Sequence, residues 1–121
     1  MKDKVYQLTL SSNTCFIYDT GTFKKTGIFH YNGEGWGLTT DGVYIIMSNG
    51  SSNIVYRDAA GFAVVKTLDV TDNNGPVPDI NELELINGFI YANQWLTNDI
   101  LKIDTASGRV VGKLDLSALA A

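Results

Sequence analysis

One cysteine, Cys15, and one histidine, His30, are all that the 121 residues offer of the two side chains that most often ligate transition metals. A single thiol closes no intramolecular disulfide, and with one imidazole it falls short of a structural zinc site. Cys15 is flanked by Thr14 and by Phe16-Ile17-Tyr18, a strand-like setting, so it is expected as a small buried hydrophobe and not as a nucleophile. His30 is expected on a strand near a blade edge, and no Gly-x-Ser-x-Gly element accompanies it, which argues against a serine hydrolase. Basic clusters are equally scarce. Lys24-Lys25 is the only adjacent pair and reads as a solvated face, while the formal net charge is −4; nucleic acid, which demands clustered cations, is excluded as a partner. No run reaches the roughly eighteen apolar residues of a membrane span. The leading residues, Met1-Lys2-Asp3-Lys4-Val5-Tyr6-Gln7, hold no apolar stretch of signal-peptide length. A soluble chain without a membrane partner is expected. Its place is the cytoplasm if the chain is complete, and the periplasm or the exterior if it is a piece of an exported protein.

What is present is a repeat. With 45% hydrophobic and 18% charged residues, the chain has enough apolar material for one domain with a real core. Three segments follow one order: an apolar strand, a polar turn with Ser or Thr and Asn, a second strand ending in Asp, a loop and a third strand. They run VYQLTL-SSNT-CFIYD to KKTGIFHY, VYIIMSNG-SSN-IVYRD to VVKTLDV, and FIYANQW-LTN-DILKID to RVVGKLDL. Tyr6, Tyr44 and Tyr91 are expected to correspond, as are Asp19, Asp58 and Asp104, which gives a period of about 38 to 47 residues. That is the length of a four-stranded propeller blade.

Each later unit is preceded by one more apolar segment, GEGWGLTT or NELELI, joined to it through Asp41-Gly42 or Asn87-Gly88. These dipeptides favour the positive φ angles of two-residue hairpins. Asn32-Gly33, Asn49-Gly50 and Asn74-Gly75 add further turns, and no window sustains a helical period. The expected fold is all-β and propeller-like, a single domain of about three antiparallel four-stranded blades: an incomplete one at residues 1–31, then 32–72 and 79–121. Three blades do not close a ring, because propellers take about four to eight. Open blade faces and strand edges invite association, so the expected partner is the chain itself, as a homodimer or a higher closed oligomer; truncation of a longer protein is the alternative.

The stretch Gly33-Glu34-Gly35-Trp36-Gly37-Leu38-Thr39-Thr40-Asp41-Gly42 is not a phosphate loop, since a strand follows where the anion-binding helix N-terminus is needed. Its glycines are expected to let an innermost strand pass close to its neighbours. Residues two apart on a strand share a face, so Glu34 and Trp36 would project together, as would Glu82 and Glu84. An acid beside an indole would hold a cationic amine or shuttle a proton. The plainer expectation is that each glutamate accepts hydrogen bonds from backbone amides of the inner ring. Two other motifs carry less. Asp69-Val70-Thr71-Asp72-Asn73-Asn74-Gly75 puts Val70 where a calcium loop needs its first ligand, so an inter-blade loop is expected there. Asn49-Gly50-Ser51 is a formal glycosylation sequon read as a hairpin turn.

GEGWGLTTDG, YIIMSNGSSNI, VVKTLDVTDNNGPVPDINELELINGFIYANQW and ILKIDTASGRVVGKLDLSAL resemble, in that order, the plant and bacterial type of glutaminyl-peptide cyclotransferase, the glutaminyl cyclases. The resemblance spans nearly the whole chain. It implies a five-bladed propeller that converts N-terminal glutamine to pyroglutamate with release of ammonia and without a metal or other cofactor. The α-amine loses a proton and the leaving ammonia gains one, which is work for a single acid/base group, while aromatic walls hold the glutamine folded. By motif, Trp36 and Trp95 resemble those walls and Asn81 a polar substrate contact; Glu34 and Glu82 complete the candidate set. Departures are marked. The family's proton-transfer glutamate, in a Phe-Gly-Glu-Gly inner strand, has no counterpart, its Leu-Thr-Trp strand is Leu8-Thr9-Leu10 here, and the C-terminal blade with its pocket lysine is absent. No catalytic residue is assigned. Two readings follow: a noncatalytic, self-assembling module that binds a peptide or small amine, or an active cyclotransferase on peptides with N-terminal glutamine, its site completed in an oligomer.

Overall fold

The structure, a computed structural model, describes residues 4–8, 14–19, 21–22, 24–31 and 35–116, with the backbone alone at Lys4 and Val5. Strands β1 (Lys4–Leu8), β2 (Thr14–Asp19) and β3 (Lys25–His30) form one antiparallel sheet in sequence order. A second sheet takes β4 (Leu38–Thr40), β5 (Tyr44–Ser48), β6 (Asn53–Asp58) and β7 (Val64–Asp69). After a two-stranded ribbon of β8 (Thr71–Asp72) and β9 (Gly75–Pro76), the third sheet is built by β10 (Ile80–Ile86), β11 (Phe89–Gln94), β12 (Asp99–Asp104) and β13 (Val110–Asp115). Every sheet is a meander, and no helix occurs among the described residues. The all-β, propeller-like expectation holds. The ribbon occupies the segment expected as an inter-blade loop, and no cluster of three or more His, Cys, Asp or Glu suited to a metal occurs among the described residues.

Turn chemistry explains why the strands stop where they do. Asp19, Asp58 and Asp104 each end a strand, and each carboxylate accepts backbone N–H groups of the following turn: Gly21 and Thr22, Ala60 and Gly61, and Ser107. A short acidic side chain that bonds two or three residues ahead turns the chain without help from the sheet. Asp41, Asn49 and Asp72 do the same for Val43 and Tyr44, for Ser51, and for Asn74. The sequence correspondence of the tyrosines needs correction. Asp19, Asp58 and Asp104 pair with Lys4, Tyr44 and Phe89, so Tyr44 sits two places off the positions of Tyr6 and Tyr91; tyrosine suits several positions along a half-buried strand and is a poor marker of register.

The middle sheet is buried on both sides. Ile45 and Met47 join Cys15, Tyr31 and Phe62 in a cluster against the first sheet, with Tyr6, Leu8 and Phe29 packed on it. Ile46, between them in sequence, points the other way, into a cluster with Ile54, Tyr56, Ile80, Leu83, Ile90, Leu101 and Ile103 against the third sheet. A strand covered on both faces reads as a continuous apolar run, which is why Tyr44–Ser48 shows no alternation. Burial declines outward to β3, β7 and β13, whose residues are mostly exposed.

Cys15 is fully buried, as expected, and burial pushes its thiol up to about 11. The thiolate is the reactive form, so native Cys15 should react with iodoacetamide at about pH 8 roughly a hundredfold more slowly than the urea-unfolded chain. Equal rates in a mass-spectrometric time course would contradict this placement.

Candidate functional site

The inner strands of the second and third sheets meet at a contact of backbone on backbone. Trp36 and Gly37 lengthen the β4–β5 ladder, with Trp36 N–H donating to the Ser48 carbonyl at 3.0 Å and Ser48 N–H to the Gly37 carbonyl at 3.0 Å. A Cβ at Gly37 would overlap the Asn81 carbonyl and come within 2.8 Å of the Glu82 Cα, both on β10. Only glycine fits here. The Ser48 hydroxyl, fully buried, donates to the same Asn81 carbonyl. The purpose expected for the glycines, close passage of an inner strand, is met at Gly37.

From this crossing the chain builds an aromatic corner. The Trp36 indole lies against Gly50, whose φ of 84° and missing side chain both suit glycine. Gly50 and Ser51 carbonyls accept from Asp79 N–H (3.2 Å) and Ile80 N–H (3.3 Å), and the Asp79 carbonyl accepts from Trp95 N–H (2.8 Å). Through these bonds the two indoles, from different sheets, come to 5.3 Å between centroids at 79°, an edge-to-face contact. Trp95 stays 48% exposed and Leu96 beside it 80%. Asp79 (φ 61°) and Leu96 (φ 66°) hold left-handed backbone on either flank, conformations that cost about 1–3 kcal/mol each and concentrate at binding sites.

Trp36 and Glu82 line one cavity of about 360 Å³ together with Tyr6, Leu8, Leu38 and Leu83. Burial raises the Tyr6 phenol above its ordinary range, with the charge of Cys15 a smaller cause, so it remains a neutral donor at neutral pH. Glu82 and Glu84 line a second cavity of about 240 Å³ with Tyr91, Asn93 and Ile100, as two residues sharing a strand face should. Neither carboxylate accepts a hydrogen bond among the described residues, against the plainer expectation, because the Glu82 N–H is already paired with the Asn93 side-chain oxygen (2.8 Å) and both side chains are exposed. Asn81 is half-buried, with its carbonyl engaged by Ser48 and no partner for its carboxamide among the described residues. Glu34 and Leu10 lie outside the described residues. Trp36, Trp95, Asn81 and Glu82 are thus gathered at one sheet junction. Ser48, Gly50, Asp79 and Tyr6 were not foreseen there; SNGSSN had read as a turn and nothing more, although its serine begins the crossing.

A family model for glutamine cyclotransferase matches residues 1–121. This chain belongs to the glutamine cyclotransferase family. It is 34% identical over 118 residues to the glutaminyl-peptide cyclotransferase of Arabidopsis thaliana, an alignment that takes in 97% of this chain and 37% of the relative. The glutaminyl cyclase of Myxococcus xanthus superposes with a TM-score of 0.91 at 39% identity, over 98% of this chain and 51% of that one. BamB of Moraxella catarrhalis matches at a TM-score of 0.60 and 14% identity, over 93% of this chain and 33% of that one, a likeness of fold alone. The chain therefore spans between about a third and a half of the length of these relatives.

Replacing Gly50 by alanine forces a side chain into the Trp36 ring at a backbone angle that L-residues avoid. The variant should lose about 2 kcal/mol or more of stability and show red-shifted tryptophan emission. Unchanged urea midpoint and emission would contradict the packing described.

Proposed function

We propose that this cyclotransferase-family chain is a propeller module that grips a peptide N-terminus carrying glutamine, and that it does not by itself complete the cyclisation. The observation that carries this reading is the Trp36–Trp95 corner, an aromatic right angle open to solvent on the Trp95 side. Edge and face of two indoles hold a folded three-carbon side chain. The Asn81 carboxamide supplies a donor and an acceptor that match the glutamine amide, and the Glu82 carboxylate, lining the same cavity as Trp36, pairs with the α-ammonium. Cyclisation asks for more. The amine has to shed a proton before it attacks and ammonia has to collect one as it leaves. Glu82 is exposed, whereas a group that trades protons in both directions works best withdrawn from water. The reading requires no metal or cofactor.

A second reading, turnover in a closed assembly, draws on the outer faces of the end sheets. Ile28 is 47% exposed on the first sheet, Ile86 49% and Leu114 57% on the third. Lys25 lies 5.0 Å over the Phe16 ring on one of these faces and Lys102 4.2 Å over Phe89 on the other, thin cover that a second copy would replace. In this reading a homodimer or a larger ring of chains supplies the missing walls.

Calorimetric titration with Gln-Ala-Ala and Ala-Ala-Ala separates binding from its absence. The glutamine peptide should bind at least about tenfold more tightly, and Trp36→Ala should abolish the difference; equal affinities would sink the reading. Light scattering over about a tenfold range of concentration should give a mass of at least two chains, together with ammonia release from the glutamine peptide, if assembly completes the site. A constant monomer mass would dispose of the second reading and leave the first standing.

A further inference from the structure

A larger cavity, about 570 Å³, opens between the first and second sheets, lined by His30, Tyr31, Met47, Val55, Arg57 and Phe62 among others. The chain has two arginines, Arg57 and Arg109, and the half-buried one is set into this wall. Its guanidinium carbon lies 4.9 Å from the centroid of Phe62 and 5.6 Å from that of Tyr31, with Phe29 stacked on Phe62 at 4.8 Å. Nη1 donates to the Phe62 carbonyl at 2.9 Å. Nε is buried with no hydrogen-bond partner, and no carboxylate of the described residues pairs with this cation. Removal from water pushes the Arg57 guanidinium down from its ordinary value, the charges of Tyr31 and Cys15 acting the other way.

A cation drawn halfway into an apolar wall without an anion is costly. Aromatic faces compensate part of that cost, and the Phe62 carbonyl takes one N–H of Nη1, but Nη2 has no acceptor among the described residues. A guanidinium with free N–H groups takes a carboxylate in charge-assisted hydrogen bonds, here through its terminal nitrogens, since Nε is closed off from the cavity. The remaining lining includes apolar Met47, Val55, Phe62 and Val64 together with Ser48, Asn49 and His30. His30 Nδ1 lies 3.4 Å from the Thr14 hydroxyl. A volume of this size suits a ligand of small-molecule dimensions. The surroundings carry no general basic field that would draw anions unselectively, since the chain as a whole has a formal charge of −4.

We propose that this cavity is a second binding site, separate from the tryptophan corner, for a monocarboxylate with a short branched apolar body, held by Arg57 and seated against Met47, Val55 and Phe62. The carboxylate is either that of a free small acid or the C-terminus of a peptide ending in an apolar residue. The site is independent of glutamine recognition and does not use Trp36 or Trp95.

The experiment is a calorimetric titration of the full chain with 4-methylpentanoate and its neutral isostere 4-methylpentanamide. The acid should bind saturably and one to one, and the amide at least about tenfold more weakly, because the amide offers the guanidinium no charge and one acceptor fewer. Inorganic phosphate should not compete, having no body to fill the apolar part. Arg57→Met should remove the preference for acid over amide, Arg57→Lys should keep a fraction of it, and Trp36→Ala should leave it intact. Gly-Gly-Leu with a free terminus, compared with its amidated form, assigns the source: preference for the tripeptide acid over 4-methylpentanoate points to a peptide terminus, the reverse to a small acid. Equal affinity for acid and amide, displacement by phosphate, or no saturable heat with either acid would overturn the proposal. The acid–amide comparison on the unaltered chain decides the matter even if Arg57→Met fails to fold.

Discussion

The rest of the structure hangs on one close approach, that of the Gly37 backbone to the Asn81 carbonyl, fastened by the Ser48 hydroxyl. Sheets that pack through side chains stay about 10 Å apart. Here two inner strands touch without side chains between them, which draws the second and third sheets together at one end while the branched residues Ile46, Ile54, Ile80 and Ile90 hold them apart elsewhere. The result is a wedge. Loops at the narrow end, Gly50–Ser51 and Asp79–Ile80, then fall within hydrogen-bonding reach of each other, and Trp36, packed on Gly50, and Trp95, bonded to Asp79, are brought edge to face. Site geometry is in this sense a by-product of how blades converge.

Much of the architecture was legible in the sequence because it depends on local chemistry. Aspartate and asparagine before glycine set the hairpins, and strand-ending Asp19, Asp58 and Asp104 close the outer turns with their own carboxylates. Register was less legible. Tyr44 appeared to match Tyr6 and Tyr91, yet the ladder sets it opposite Asp58 while Tyr6 faces Ile17 and Tyr91 faces Lys102. Repeats diverge in how far along the strand an aromatic stands, and pattern alone does not record that choice. The site was half legible: Trp36, Asn81, Glu82 and Trp95 could be named from motifs, whereas the roles of Ser48, Gly50 and Asp79 follow from contacts between residues well separated along the chain, which no local pattern encodes.

Charge tells a similar story of placement. The chain is acidic overall, and Glu82 stands exposed in the cavity it shares with Trp36. Arg57 runs against that trend, withdrawn against the Tyr31 and Phe62 rings. Because Ile45 and Ile46 point to opposite sides, the middle sheet packs against both of its neighbours. One blade thus borders two sites, and Ser48, which fastens the tryptophan corner, also lines the arginine cavity.

The central claim is that the Ser48–Asn81 junction positions the tryptophan pair. The chain contains only two tryptophans, so any exciton coupling between indoles in its far-ultraviolet circular dichroism belongs to Trp36 and Trp95. The decisive measurement is that couplet in Ser48→Ala, with Trp95→Phe as the zero. A folded Ser48→Ala chain should show a clearly weakened couplet. A couplet of unchanged strength and sign would mean that the indoles find each other without the junction, and would contradict the account.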